Sequence, residues 1–468
     1  MYRCLVFWVV VATTQAGIAE VNSSAPKLEV RLQTHLTSYA SRPGSRFQCV
    51  VISPFEVNGE ILIPEGSIVY GTVRRALSVH LGFGRERAAM ELSFSEYETP
   101  DGLRFPLRAK LVSIDNAREE VNANGRIKGI LAAANPDEVL NGIWGRPSLD
   151  MFYRPLEGLT GLGQEILEKY PMGPVGPAVM LGVRCFILRF PEPEIHLPPG
   201  TDMELLVDQS SSSFAKQPAP PVPDAPAELA EWLRRVPVKV MKPNGAPAGD
   251  RINIAFTGSR QELLDAFNAS GWYTALPTTF GSFTHVYIAF NGKSKYARAP
   301  VSKLLYKGKA PDLVFEKSLD TITKRHHVRI WKAGVVDGQA TWLGAATHDT
   351  GLEFNRKTFW FTHRIDRRVD DEREKVSIDL TFARCSEPVS YGTRDNVVDE
   401  IGPALTDGRI AILSLQPCSA SVDTGAQPSP RPPGSKMTRL IRRVVLESRS
   451  YILRENVYYW TFEMIRHR

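Results

Sequence analysis

Short runs of alternating apolar and polar residues dominate the N-terminal part of the chain. Leu28-Glu29-Val30-Arg31-Leu32 alternates, and Ser67-Ile68-Val69-Tyr70-Gly71-Thr72-Val73 does so beside turn-forming residues. A period of two sends neighbouring side chains to opposite faces of a strand, so residues 27–207 predict a mainly-β, barrel-like domain. One corner is written twice, as Ile61-Leu62-Ile63-Pro64-Glu65-Gly66-Ser67 and Ile195-His196-Leu197-Pro198-Pro199-Gly200-Thr201. In each, Pro presets φ and Gly takes a conformation that a Cβ disfavours, which turns one strand into the next. Between Ala132 and Phe190 the alternation fails and glycines accumulate. That stretch reads either as an insertion packed on the barrel or as an apolar loop.

The pattern changes at Asp208. Four serines and then Pro218-Ala219-Pro220-Pro221-Val222-Pro223 build no core, so residues 208–227 read as a linker. A second domain, 228–420, mixes periods. Asp250 to Phe256 reads as a strand, and Ser259 with Glu262 three residues on forms a capping box that starts a helix over Arg260 to Ala269. Strands are predicted at His285–Phe290, Leu313–Phe315, His326–Trp331, Thr341–Thr347 and Arg409–Leu415, with a helix from Asp370 to about Phe382. The fold class is α+β. A second Pro-rich linker, 421–435, leads to a tail, 436–468, whose Ile441, Val444, Val445, Ser448, Tyr451 and Ile452 recur at helical spacing.

Composition adds a compartment. Arg3 followed by the apolar run Cys4 to Ala12, with small residues at Gly17 and Ala19, predicts a secretory signal over residues 1–19. The run is shorter than a bilayer span, and no later stretch spans one. The expected location is therefore exported: periplasmic, outer-membrane-associated or secreted. Past the signal four cysteines remain, and the pairing that keeps bonds within domains is Cys49 with Cys185 and Cys385 with Cys418. Free buried thiols are the alternative. The net charge is +6, and residues 436–468 carry eight basic against three acidic side chains, or +5 of it. For an exported chain this points away from nucleic acid. A membrane surface, an envelope glycan or an envelope protein is the expected partner. The tail reads as either lying on an anionic bilayer or packing back on the second domain.

Polar chemistry is densest between Arg325 and Arg373. The segments are Arg325-His326-His327-Val328-Arg329-Ile330-Trp331, Thr341-Trp342-Leu343-Gly344-Ala345-Ala346-Thr347-His348-Asp349, Thr362-His363-Arg364-Ile365-Asp366 and Asp370-Asp371-Glu372-Arg373. With Asp250 to Ser259 they resemble the C-terminal domain of the LssY family, over about 250–415. That resemblance implies a cell-envelope association and no settled activity. The family's third motif carries Thr-His-His-Ile-Asp, where Arg364 stands here in place of the second histidine. The run Ile63 to Val73 resembles the β-barrel segment of TrbI-type secretion core proteins.

Alternation along His326–Trp331 puts His326, Val328 and Ile330 on one face and His327, Arg329 and Trp331 on the other. The first set reads as core. His327 and Arg329 are thus the better placed for a ligand, Arg329 by pairing with phosphate or carboxylate, with His326 kept as a further ligand-binding candidate. His327, His363, Asp349 and Asp366 are the candidate catalytic set. Two imidazoles and two carboxylates are donors that a divalent metal accepts, but no compact metal motif is present and the cofactor stays unassigned. A structural His–Asp network is the competing reading, and Asp366, Asp370 and Asp371 also suit a helix N-terminus. Three functions follow: a non-catalytic envelope binding or accessory module, an envelope phosphoester hydrolase, or a structural part of a secretion assembly.

Overall fold

A computed structural model describes residues 26–81, 85, 87–115, 119–130, 193–275, 304–317, 325–355, 360–394, 405–419 and 434–454 of the 468-residue chain. The signal-like segment, the Ala132–Phe190 stretch, the strand expected at His285–Phe290, most of the second linker and residues 455–468 lie outside these.

The N-terminal domain is a closed antiparallel barrel. Strands β1 (Leu28–Leu32), β2 (Arg46–Val51), β3 (Ile68–Leu77), β4 (Ala89–Glu98), β5 (Arg104–Ile114) and β6 (Asp202–Val207) pair in the order β3-β2-β1-β6-β5-β4, and β4 returns to β3. Alternation decides what fills it. Leu28, Val30, Leu32, Met203 and Leu205 point into the core, and closure leaves none of these six strands with an open edge. The two Pro-x-Gly corners have matching geometry. Gly66 and Gly200 have φ of 82° and 88°, and the Ser67 and Thr201 hydroxyls donate to the carbonyls of Pro64 and Pro198, each at 2.7 Å. The first linker is laid partly along the barrel, with Gln217 and Pro218 pairing with Ile61 and Glu60.

The second domain begins with α1 (Ala227–Arg234) and is built on a mixed sheet. Its central strands are β7 (Ile254–Thr257), β8 (Leu313–Lys317), β9 (His326–Val336), β10 (Gln339–Asn355) and β12 (Ile410–Ser414), in the order β8-β9-β10-β7-β12, and β11 (Trp360–Ile365) pairs with the far half of β10. The domain is α+β. Helix α2 (Arg260–Ala269) starts at the capping box read from Ser259 and Glu262. Helix α3 (Val369–Phe382) covers the face that carries Val328 and Ile330, while Trp331 packs on the opposite side with Leu229 and Leu233 of α1. Cys385 and Cys418 form a disulfide. Cys49 fits the free-thiol alternative. It is a free thiol that alternation along β2 turns into the barrel core, and Cys185 lies outside the described residues.

The tail forms α4 (Lys436–Arg454), with Ser435 accepting the Thr438 amide at 3.1 Å. It docks on the barrel, which differs from the second-domain placement among the two readings. Leu446 joins the barrel's core cluster, and Arg442 pairs with the buried Glu194. Met437, Ile441 and Val445, on the helix's apolar stripe, are exposed. Among the described residues no helix is long and apolar enough to cross a membrane.

Candidate functional site

The charged residues of β1 and β6 occupy the positions that alternation turns out of the barrel: Glu29, Arg31, Asp202 and Glu204. On a solitary barrel these would face water. Here α3 lies against them, so Arg31 and Asp202 are each only 6 % exposed. Arg31 donates to both Asp202 oxygens, at 2.6 and 3.0 Å, and across the domain boundary to Asp379 at 2.7 Å. Lys317 of β8 donates to the other Asp379 oxygen at 2.8 Å, as does the Trp272 indole at 2.9 Å. Lys375, one turn before Asp379, bonds Asp202 and reaches Asp379 at 3.2 Å.

This network continues to His326. Its Nδ1 meets Glu372 of α3 and its Nε2 meets Asp115 at the end of barrel strand β5, both at 2.6 Å. Burial alone would depress the imidazolium, but the Asp115 and Glu372 carboxylates outweigh it and push the pKa up to about 10. His326 is therefore a cation at neutral pH. His348, its cross-strand neighbour on β10, stacks on it at 4.4 Å and is driven the other way, to about 4, by burial and by the adjacent imidazolium. Asp115 and Asp202 are both held below the usual carboxylate range. Burial opposes this, while His326 outweighs it at Asp115, and Arg31 and Lys375 at Asp202. The cations Arg31, Lys317, His326 and Lys375 are thus matched by the anions Asp115, Asp202, Glu372 and Asp379. Such matching is what makes buried charge tolerable.

Beside this network lies an interdomain cavity of about 590 Å³. The barrel lines it with Glu29, Asp115 and Glu204, and the second domain with His326, His348, Asp366 and Glu372 among others. Arg368 and Asp371, paired at 3.1 Å with largely exposed side chains, mark its mouth.

The sequence-derived candidates fall on two sides of the sheet. His326 and Asp366 line the cavity. His327, Arg329 and Asp349 lie on the opposite face, each no more than 2 % exposed. There His327 Nε2 meets Thr347 Oγ1 at 2.6 Å, its Nδ1 stands 3.7 Å from Asp349, and Arg329 pairs with Asp250. Asp366 accepts the Arg368 amide at 3.0 Å ahead of α3. His363 sits on β11 opposite Leu352, and its side chain is not among those described. The proposed quartet of His327, His363, Asp349 and Asp366 is therefore not brought together in the described part of the molecule. Among the described residues no three His, Cys, Asp or Glu side chains are arranged to hold a metal ion.

The residues that do converge include several that sequence reasoning passed over: Arg31, Asp115, Asp202, Lys375 and Asp379. One signal was available. Glu372, Lys375 and Asp379 recur at i, i+3 and i+7, a charged stripe along one helix face.

No curated protein matches this chain. A solved structure, ComB10 of the Com Type IV secretion system of Helicobacter pylori, is similar over 41 % of this chain and 95 % of that one, at 14 % identity and a TM-score of 0.18. Residues 235–401, which hold β7 to β11, α2 and α3, match the family described as LssY C-terminus.

Proposed function

We propose that the protein is an exported, envelope-associated binding or accessory module whose binding site is the cavity between the barrel and the LssY-like domain. The observation that carries this reading is the double engagement of His326, which has a carboxylate on each ring nitrogen. A histidine that activates water or a nucleophile needs a ring nitrogen free to meet the substrate's proton, with a pKa near the working pH. His326 has neither, and its partners come from both domains, so its evident work is to join them. Export and envelope location rest on the signal-like N-terminal run and on the LssY likeness. The partners this reading favours are an envelope lipid, glycan or protein.

The experiment is a phosphoester panel on the full-length protein. Turnover is expected to stay at background in the parent protein and in His326→Ala and His348→Ala. Turnover that either substitution abolishes would establish the hydrolase alternative instead.

A further inference from the structure

The inner ion network is balanced, but the cavity beside it is not. Its remaining carboxylates outnumber its cations, and the cations that face it are engaged: Lys27 with Glu204 at 2.7 Å, Arg368 with Asp371, and Lys375 with Asp202 and Asp379. Glu29, half-buried on β1, stands in the field of Glu204, Asp202 and Asp379. Burial first, and then those neighbours, push it up to about 7 against the pull of Lys375.

A second, separate observation lies deeper. Glu372 gives one oxygen to His326, but its Oε1 is buried and accepts no hydrogen bond, with the side chain only 3 % exposed. Asp115 Oδ2, on the other side of His326, differs, since the Lys375 ammonium stands 3.8 Å from it. A buried carboxylate oxygen without a donor costs about 1–3 kcal/mol, which a ligand's N–H groups would recover. The carboxylates are too dispersed to ligate one metal ion among the described residues. The volume instead suits an organic group, within the several hundred Å³ common for small-ligand pockets.

We propose that the interdomain cavity binds a primary ammonium group, received by Glu29 of the barrel and by the Glu372 oxygen that accepts no hydrogen bond. An anion is disfavoured, because it would meet carboxylates and find the facing cations already paired. The ammonium has two sources of the same chemistry: a free aliphatic diamine, or the side-chain amine of an envelope peptide. This inference rests on the binding reading and supplies its ligand class.

The test is calorimetric titration of the full-length protein at physiological ionic strength. Putrescine stands for the free diamine, Nα-acetyl-lysine amide for the peptide-borne amine, and butyrate is the anionic control. Saturable binding of one amine and none of butyrate is expected, and the tighter amine identifies the source. Glu29→Gln is expected to weaken binding about tenfold, the size of one partly buried ion pair. Affinity is also expected to fall as the pH drops below about 7, where Glu29 takes up a proton. Glu372→Gln is expected to weaken binding too, and if it does not fold, Glu29→Gln decides alone. Absence of saturable heat from both amines, or binding that Glu29→Gln leaves unchanged, would overturn the inference. Neither result touches the binding reading, which only mutation-sensitive turnover overturns.

Discussion

Strand β9 carries His326 and His327 side by side, and the two faces they serve teach different things. On the His327 face the polar groups are sealed within one domain: His327 with Thr347 and Asp349, and Arg329 with Asp250. On the His326 face the imidazole bonds Glu372 of its own domain and Asp115 of the barrel, Arg31 of the barrel reaches Asp379, and a cavity opens beside them. Two adjacent residues with the same chemistry thus do unlike work. The far face fixes the sheet, and the near face fixes the barrel to the sheet.

The largest effect that sharpens this contrast is expected from Asp379→Ala. Asp379 is fully buried and holds Arg31, Lys317 and Lys375, so its loss leaves cations uncompensated in the boundary. Urea unfolding is expected to show a loss of about 3–5 kcal/mol, the usual cost of breaking a buried pair from one side. A loss under about 1 kcal/mol would mean the boundary is wetter than described. Arg329→Met, on the far face, is expected to cost less, about 1–3 kcal/mol. Its partner Asp250 already has a pKa raised by burial despite Arg329 and can take a proton once the guanidinium is gone. If Arg329→Met costs more than Asp379→Ala, the ranking of the two faces is reversed.

The pH dependence separates the faces further. The His326 pKa is higher folded than unfolded, so its contribution is fully present below its unfolded pKa of about 6.5 and is lost as the pH rises through about 10. The carboxylates of Asp115 and Asp202 are depressed, so their contribution is present above about pH 4 and is lost in acid. Stability is therefore expected to fall at both extremes. In His326→Gln the alkaline loss is expected to flatten, whereas an unchanged alkaline limb would assign it to other groups. The smallest effect on stability is expected outside both faces. Ile441→Ser lies on the exposed stripe of α4, opposite the side that docks through Leu446 and Arg442. It is expected to change stability by less than about 0.5 kcal/mol. Sedimentation with anionic vesicles then asks whether the stripe and its flanking arginines meet a membrane, and equal binding by both proteins would retire that role.

What the sequence disclosed follows the range of the forces involved. Local chemistry was legible: the capping box at Ser259 and Glu262, the paired Pro-x-Gly corners, and the alternation that fills the barrel all act within a few residues. The site was less so. Arg31 and Asp202 read as ordinary outward residues of a barrel, and their burial depends on Asp379, 348 positions from Arg31. The same periodicity that sorted His326 from His327 put His326 with the core-facing Val328 and Ile330. The far end of that face is covered by another domain rather than by apolar side chains, so His326 meets Asp115. The tail shows the limit in reverse. Its apolar stripe suggested the inward side, yet the docked side carries Leu446 and Arg442.

Whether His326 energetically couples the barrel to the second domain is measured by a double-mutant cycle between Asp115→Ala and His326→Ala, followed by urea unfolding. A coupling of roughly 1–3 kcal/mol, with the double variant losing less than the sum of the singles, is the predicted result. Losses that add to within about 0.3 kcal/mol would contradict it.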